Sequence, residues 1–457
     1  MRSASFLYGL IDTIVERGRS LLEGAPDGKI DLETLQELSR TLVAGHGEFS
    51  GSLLAQQIIK GYTALDDTAK LVFFQFLASE FMPDQTRLEA SAKSYLDDPS
   101  PDHLAQLAQS VEGPRQEFFR RLNLTANGAR AMVAMRLDLL KNLKSHPELR
   151  AVDNDLVHLF GSWFNRGFLV LRRIDWSTSA QTLEKIIKYE AVHEISDWDD
   201  LKRRLDPVDR RCFAFFHPAL MDDPLIFVEV ALSQDIPASI QELLSEDTPE
   251  KPQAPSTAVF YSISNCQKGL KGISFGNLLI KQVATDLANE IPSLRNFVTL
   301  SPLPGFSAWL KGICKSENFG ALTPDEIERI RSLDNVNWAA DDDRRADLQE
   351  PLMHLATRYL LSAKSASNRA LDPVERFHLG NGARLERINW LGDLSQPGIE
   401  RSYGLMVNYL YDLASVEANH EAYINEGVVV ASNQVTKLLR GKPVAEEHPP
   451  APKQIAG

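Results

Sequence analysis

Cysteine is scarce in this 457-residue chain. The three present, Cys212, Cys266 and Cys314, show neither the spacing of a metal finger nor the framework of a secreted disulfide protein. A reduced, cytoplasmic setting follows. Long apolar runs are missing too: no stretch reaches the roughly 18 uninterrupted apolar residues that a spanning helix needs, so no membrane segment is expected. Basic charge is in deficit, with 49 Lys and Arg against 62 Asp and Glu and a formal net charge of -13. That balance argues against broad binding to nucleic acid or an anionic membrane, while leaving room for a local basic pocket for a phosphorylated ligand. There is no internal repeat, no Walker phosphate-loop pattern, no clean dinucleotide-binding pattern and no set of residues suggesting a metal site.

What is present fits an ordered protein, 43% hydrophobic and 24% charged. At this length two or three domains are expected. The first residues, MRSASFLYGLIDTIVERGRSLLEG, carry apolar positions at helical spacing broken by Asp12, Glu16 and Arg17, an amphipathic helix and not a signal peptide. Helical periodicity continues to about residue 175, as in LETLQELSRTLVAG and ARAMVAMRLDLLKNLKSH. Residues 1–175 are therefore read as an all-helical domain whose apolar stripes pack on one another or on a second subunit. Short strand-like runs then appear at 212–216, 225–231 and 259–264, followed by a helix over about 277–290 and a strand at 297–300. Residues 176–440 thus read as a mixed α/β domain. Proline and acidic residues over 242–255 mark an exposed connection, 322–361 reads as mostly helical, and 441–457 reads as a flexible tail.

The richest stretch is YSISNCQKGLKGISFGNLLIKQVATDLANEIPSLRNFVTLSPLPGF, from Tyr261 to Phe306. A strand enters a loop with Gly269, Gly272 and Gly276, an amphipathic helix follows, and a second strand ends at Ser301 in a loop stiffened by Pro302 and Pro304. Glycines let backbone amides approach a ligand, and a helix N-terminus attracts phosphate. Lys268, Lys271 and Lys281 add positive charge. Taken alone, the spacing fits a ligand loop and a structural strand-to-helix turn equally well.

Four segments together are more specific: FYSISNCQKGLKGISFG, FVTLSPLPGFSAWL, DPVERFHLGNGARLERINWLGD and GLMVNYLYDL. In these the chain resembles the malonyl-CoA decarboxylase family over nearly its whole length. The resemblance implies a helical N-terminal domain followed by an acetyltransferase-like catalytic domain with a mixed central sheet. It implies that CoA is gripped along Gln267, Lys268, Gly269, Lys271, Gly272, Ile273, Ser274, Phe275, Gly276 and Asn277. It places the family's catalytic serine at Ser301, its histidine at His378 and its tyrosine at Tyr411. Animal relatives carry a glutamate where this chain has Ser274. A homotetramer built as a dimer of dimers is implied, and with no presequence or C-terminal Ser-Lys-Leu the chain is read as bacterial and cytoplasmic.

Decarboxylating malonyl-CoA to acetyl-CoA and CO2 needs stabilisation of an enolate and a proton for carbon. No separate cofactor or metal is required, CoA being part of substrate and product. His378, with an ordinary pKa near neutrality, is the natural proton donor. Ser301 is placed to hydrogen-bond the substrate and exchange a proton with His378, Tyr411 to orient the imidazole or contact the substrate carboxylate, and Asn381 to polarise the thioester. Asp372 reads as a cap before His378, Cys266 as a small core residue, and His193 and His217 as structural or surface groups. An acyltransferase with the same CoA grip and a non-catalytic acyl-CoA sensor are the alternatives.

Overall fold

The computed structural model describes residues 30–45, 48–245, 254–273, 279–317, 319, 322–331, 333 and 338–439, with the side chains of 48–50 and 166 left aside. The expected N-terminal amphipathic helix and the 441–457 tail lie outside the described residues. The chain divides into two compact units.

The described residues of the first unit up to 169 are helical, and the later segments 216–225 and 267–273 belong to the same unit. Its helices start where the sequence supplies an acceptor for orphaned backbone donors. Asp31, Asp66, Asp84 and Ser100 each accept from the amide three residues on, and Pro101 and Pro114 occupy first-turn positions where no N–H is needed. The core is aromatic: Phe73, Phe118, Phe119, Phe160 and Phe164 are fully buried, with the Phe73 and Phe118 rings 6.4 Å apart. Arg136, on the helix Gly128–Asn142, is buried and paired with Asp153 at 2.8 Å.

The second unit is built on a sheet. Among the described residues its strands are β1 (Val170–Ile174), β2 (Arg210–Phe216), β3 (Pro224–Ser233), β4 (Thr257–Asn265), β5 (Asn296–Thr299), β6 (Ser301–Pro302), β7 (Arg384–Asn389) and β8 (Met406–Leu410). The order is β1-β2-β3-β4-β5-β8-β6, with β7 also on β8. β3 and β4 are antiparallel, β4 and β5 parallel, and β8 runs antiparallel to β5, β6 and β7. This is the mixed central sheet expected for the catalytic part. The apolar runs at 212–216, 225–231, 259–264 and 297–300 all fall on strands or immediately beside them. Residues 322–361 are largely helical, in Pro324–Arg331 and Asp342–Ser362. β1 departs from the expectation, since it lies in the stretch read as all-helical. Its VLRRI sequence puts two adjacent arginines among β-branched and aliphatic residues, a pattern without helical period. Ser301 also departs from its expected loop: it begins β6 and pairs with Val407. Pro302, which has no N–H to give a ladder, is tolerated at that end of the sheet.

A bulge in β4 sorts the two faces of the sheet. Glu229 pairs with Ser262 and Val230 with Phe260, so Tyr261 has no partner in register. Tyr261 packs with Ala231, Val259, Val298, Leu300 and Met406, whereas Phe260 meets Tyr411 edge-on at 6.4 Å. Polar groups beside the bulge are tied down internally. The Glu190 carboxylate accepts from the Ser262 and Ser264 hydroxyls and from the amides of Val192 and His193. Arg204 donates to Glu229 at 3.3 Å and to the carbonyls of His193 and Glu194.

Burial pushes the fully enclosed Glu229 carboxyl up to about 8, with Arg204 opposing a further rise. The folded state therefore holds a proton that an unfolded carboxylate, at its ordinary 4.5, releases. That stabilisation is complete below 4.5 and is lost as the pH rises through about 8, with a slope of at most about 1.4 kcal/mol per pH unit. Glu229→Gln should remove this slope. Urea unfolding of variant and parent, compared at the two ends of that window, should show the parent losing stability relative to the variant on the alkaline side.

Candidate active site

Ser301, His378 and Tyr411 meet in the second unit. His378 Nε2 lies 3.0 Å from Ser301 Oγ, and Nδ1 lies 2.8 Å from the Tyr411 hydroxyl. All three are buried, with Ser301 5%, His378 3% and Tyr411 1% exposed. Ser301 Oγ donates to Thr299 Oγ1 at 2.8 Å, and the same Thr299 oxygen accepts the Tyr409 amide. Strand alternation puts Thr299 and Ser301 on one side. Read in those directions, Tyr411 O–H donates to Nδ1, Nε2–H donates to Ser301 Oγ, and Ser301 O–H donates to Thr299.

The local sequence explains why His378 sits there. Its helix, Pro373–Gly380, begins with Asp372, whose carboxylate accepts from the Val374 and Glu375 amides, with Pro373 in the first turn. Asp372, fully buried, also accepts from the Gly305 amide at 2.9 Å and the Tyr359 hydroxyl at 3.3 Å. The cap therefore ties the His378 helix to the LSPLPGF segment that carries Ser301. Tyr409 stacks on the imidazole, with centroids 4.6 Å apart and planes 23° from parallel. Burial alone lowers His378 from its ordinary 6.5 to about 3. Its imidazole is neutral at neutral pH, which corrects the expectation of a ring poised near neutrality: desolvation penalises the charged form, and no neighbouring carboxylate offsets it.

Asn381 follows this helix, buried, and its Nδ2 donates to the Phe377 carbonyl at 2.7 Å. Cys266 is buried, as expected of a core residue, and burial also pushes Tyr411 well above its ordinary pKa. His217 is buried in the first unit and packs tilted against Phe164, with centroids 4.8 Å apart.

Of the expected CoA loop, Gln267, Lys268, Gly269, Lys271, Gly272 and Ile273 are described and belong to the first unit. Ser274, Phe275, Gly276 and Asn277 lie outside the described residues. A Cβ on Gly269 would stand 2.0 Å from the Val133 carbonyl, so this glycine is required by close approach to the helix Gly128–Asn142. Gly272 has φ of +82°, the left-handed region that favours glycine. Arg136 takes the carbonyls of Gly269 and Lys271 at 2.8 and 2.9 Å, and the Gln267 side chain donates to the Pro224 carbonyl at 3.1 Å. The amides of Leu270, Lys271 and Ile273 donate within the turn. Lys268 and Lys271 are exposed, whereas Lys281, in the second unit, pairs with Glu417 at 2.5 Å. Among the described residues no group of three or more His, Cys, Asp or Glu is spaced to hold a metal ion, and no helix is long and apolar enough to cross a membrane.

Residues 167–448 match the family model described as malonyl-CoA decarboxylase C-terminal domain, and residues 81–164 match the corresponding N-terminal domain. The chain belongs to the malonyl-CoA decarboxylase family. Its relatives include the crystal structure of malonyl-CoA decarboxylase from Rhodopseudomonas palustris, 50% identical, with a TM-score of 0.84 over 89% of this chain and 100% of that one. The Agrobacterium vitis malonyl-CoA decarboxylase structure is 47% identical, with a TM-score of 0.85 and the same coverage. The mitochondrial malonyl-CoA decarboxylase of Anser anser anser is 38% identical over 348 residues, covering 70% of this chain and 68% of that protein. As a member of this family the protein is a carboxy-lyase.

Two residues beside the Ser301–His378–Tyr411 cluster, Thr299 and Tyr409, are not among the candidate site residues of the sequence. Thr299 stands two positions before Ser301, a period-2 relation that places both hydroxyls together once the segment is extended. Tyr409 stands two before Tyr411, the same period-2 relation. Tyr411→Phe leaves Nδ1 of a buried imidazole without its partner. It should cost about 1–3 kcal/mol of stability, the usual penalty for such an orphan, read as a lower denaturant midpoint with an unchanged m-value.

Proposed function

We propose that this protein converts malonyl-CoA to acetyl-CoA and CO2 through a relay made by Ser301, His378 and Tyr411. The observation that carries the reading is a buried imidazole bonded at both nitrogens, to Ser301 Oγ and to Tyr411 O–H. The substrate carboxylate leaves as CO2, and the electron pair of the broken carbon–carbon bond passes to the α-carbon and thioester oxygen. Ser301 O–H gives its proton to the α-carbon. His378 Nε2–H replaces it, and Nδ1 takes the Tyr411 hydroxyl proton. One proton per turnover, drawn from solvent, enters at Nε2 while Nδ1 hands its proton back to Tyr411. Its phenolate is strongly basic because burial disfavours the charge.

The scheme answers the weakness of a free serine as a base, because Ser301 acts here as a donor. It asks nothing of a metal or separate cofactor, since the thioester itself delocalises the charge. Asn381 belongs to it as the residue closing the helix end that carries His378. The segment 267–277 is retained as the handle-binding loop, with Lys268 and Lys271 as its exposed cations. The family resemblance further implies a homotetramer built as a dimer of dimers, with the helical unit as its oligomerisation surface, in the bacterial cytoplasm. Light scattering on the purified protein checks that assembly.

Purified protein incubated with malonyl-CoA and no acceptor should release CO2 and acetyl-CoA in equal amounts, and binding without turnover would remove the reading. In heavy water the acetyl group should carry one solvent-derived deuterium. His378→Asn should lower kcat by roughly a hundredfold or more, with KM changed little. Because the imidazole stays neutral down to about 3, kcat/KM should show no inflection near 6.5, the ordinary value for histidine. A pH series of kcat/KM checks this, and an acid limb centred there would contradict it.

A further inference from the structure

Next to the relay lies a set of polar groups that the proposed chemistry leaves unused. Glu375 stands three residues before His378 on the same helix, on a shared face. It is fully buried, and neither carboxyl oxygen has a hydrogen-bond partner. The Tyr409 hydroxyl and Lys364 Nζ are likewise buried and unpartnered. Glu375 and Tyr409 both flank His378, one a helical turn away and the other stacked on its ring, and the Lys364 ammonium acts electrostatically on Glu375. Asp372 is not available to them, since its oxygens serve the Gly305, Val374 and Glu375 amides and the Tyr359 hydroxyl.

Tyr409 is the residue through which this set reaches the relay. Its ring stacks on the His378 imidazole, and its backbone N–H donates to Thr299 Oγ1, the acceptor of Ser301. One residue thus touches His378 directly and Ser301 through the shared Thr299 hydroxyl. The orphaned groups are complementary: an ammonium with three donors, a carboxyl with acceptors, and a hydroxyl able to do either. A buried water needs two to four polar partners, and these three groups have the donors and acceptors to supply them.

We propose that Lys364, Glu375 and Tyr409 form one hydrogen-bonded cluster, closed by a single water molecule, that holds the Tyr409 ring flat against His378. Glu375 and Tyr409 are then positioning residues for proton delivery, with no contact to substrate. The inference rests on the reading of His378 as the proton-relaying group.

Tyr409→Phe keeps the stacked ring and removes only the hydroxyl, while Glu375→Gln keeps the side-chain shape. Each should lower kcat about tenfold and leave KM within about twofold. The double variant should fall no further than either single one, because both break the same cluster. Each should also move the imidazole nitrogen resonances of His378. Full kcat in both variants, or a double variant down by the product of the single effects, overturns the proposal. Should Glu375→Gln fail to fold, Tyr409→Phe decides alone by its kcat and its imidazole resonances. If the parent protein itself releases no CO2, the functional reading falls, and the cluster is judged by the resonances, which must shift for it to stand. If the parent turns over, His378→Asn does not, and the cluster variants match the parent, only the cluster falls.

Discussion

An imidazole held between two hydroxyls, out of water, is the constraint around which the second unit is arranged. Both ring nitrogens of His378 are satisfied, so the ring can be buried at tolerable cost, and the burial keeps it neutral. Three separate parts of the chain must converge to achieve this. β5 and β6 bring Thr299 and Ser301, the helix after Asp372 brings His378, and the end of β8 brings Tyr409 and Tyr411. Moving any of them by an ångström would break a bond of 2.8 to 3.0 Å.

Strand β8 carries much of that convergence. It pairs with β5, β6 and β7, and its fully buried Asn408 donates to the carbonyls of Thr299 and Pro237 while accepting from Arg387 and Asn389. An asparagine in a sheet interior is costly unless every polar atom is used. Here it fixes the register of β8 against the Thr299–Ser301 break, and the register decides whether Tyr409 and Tyr411 face the imidazole. The short parallel pairing of β4 with β5 and the bulge at Tyr261 act in the same sense. They turn Phe260 towards Tyr411 and leave Tyr261 to the apolar cluster with Val259 and Met406.

Much of this was legible in the sequence because local pattern carried it. Asp372 was readable as a cap before His378, and the segments that carry the resemblance already held Ser301, His378 and Tyr411. Helical period marked the first unit, and compact β-branched and aromatic runs marked β2 to β5. What escaped depends on pairing between distant segments. Whether Ser301 lies in a loop or a strand is settled by Val407, more than a hundred residues away. The neutrality of His378 was invisible too, since desolvation is a property of everything packed around the ring. Glycine content gave the loop at 267–277 an ambiguous signature for a related reason. A glycine needed because Val133 comes close and a glycine needed for a phosphate look alike in a sequence, and Gly269 is of the first kind.

Burial acts on Glu229 and His378, two titratable groups of this unit, in opposite senses with the same result. It raises Glu229 to about 8 and lowers His378 to about 3, so both are uncharged at neutral pH. In the proposed scheme the charge that appears when CO2 leaves therefore has no cation of the relay to meet it. A neutral relay stabilises such a charge only through oriented O–H and N–H donors, whose worth rises as water is excluded and whose geometry must be set beforehand. That requirement accounts for the investment of so many buried polar groups in holding one ring still.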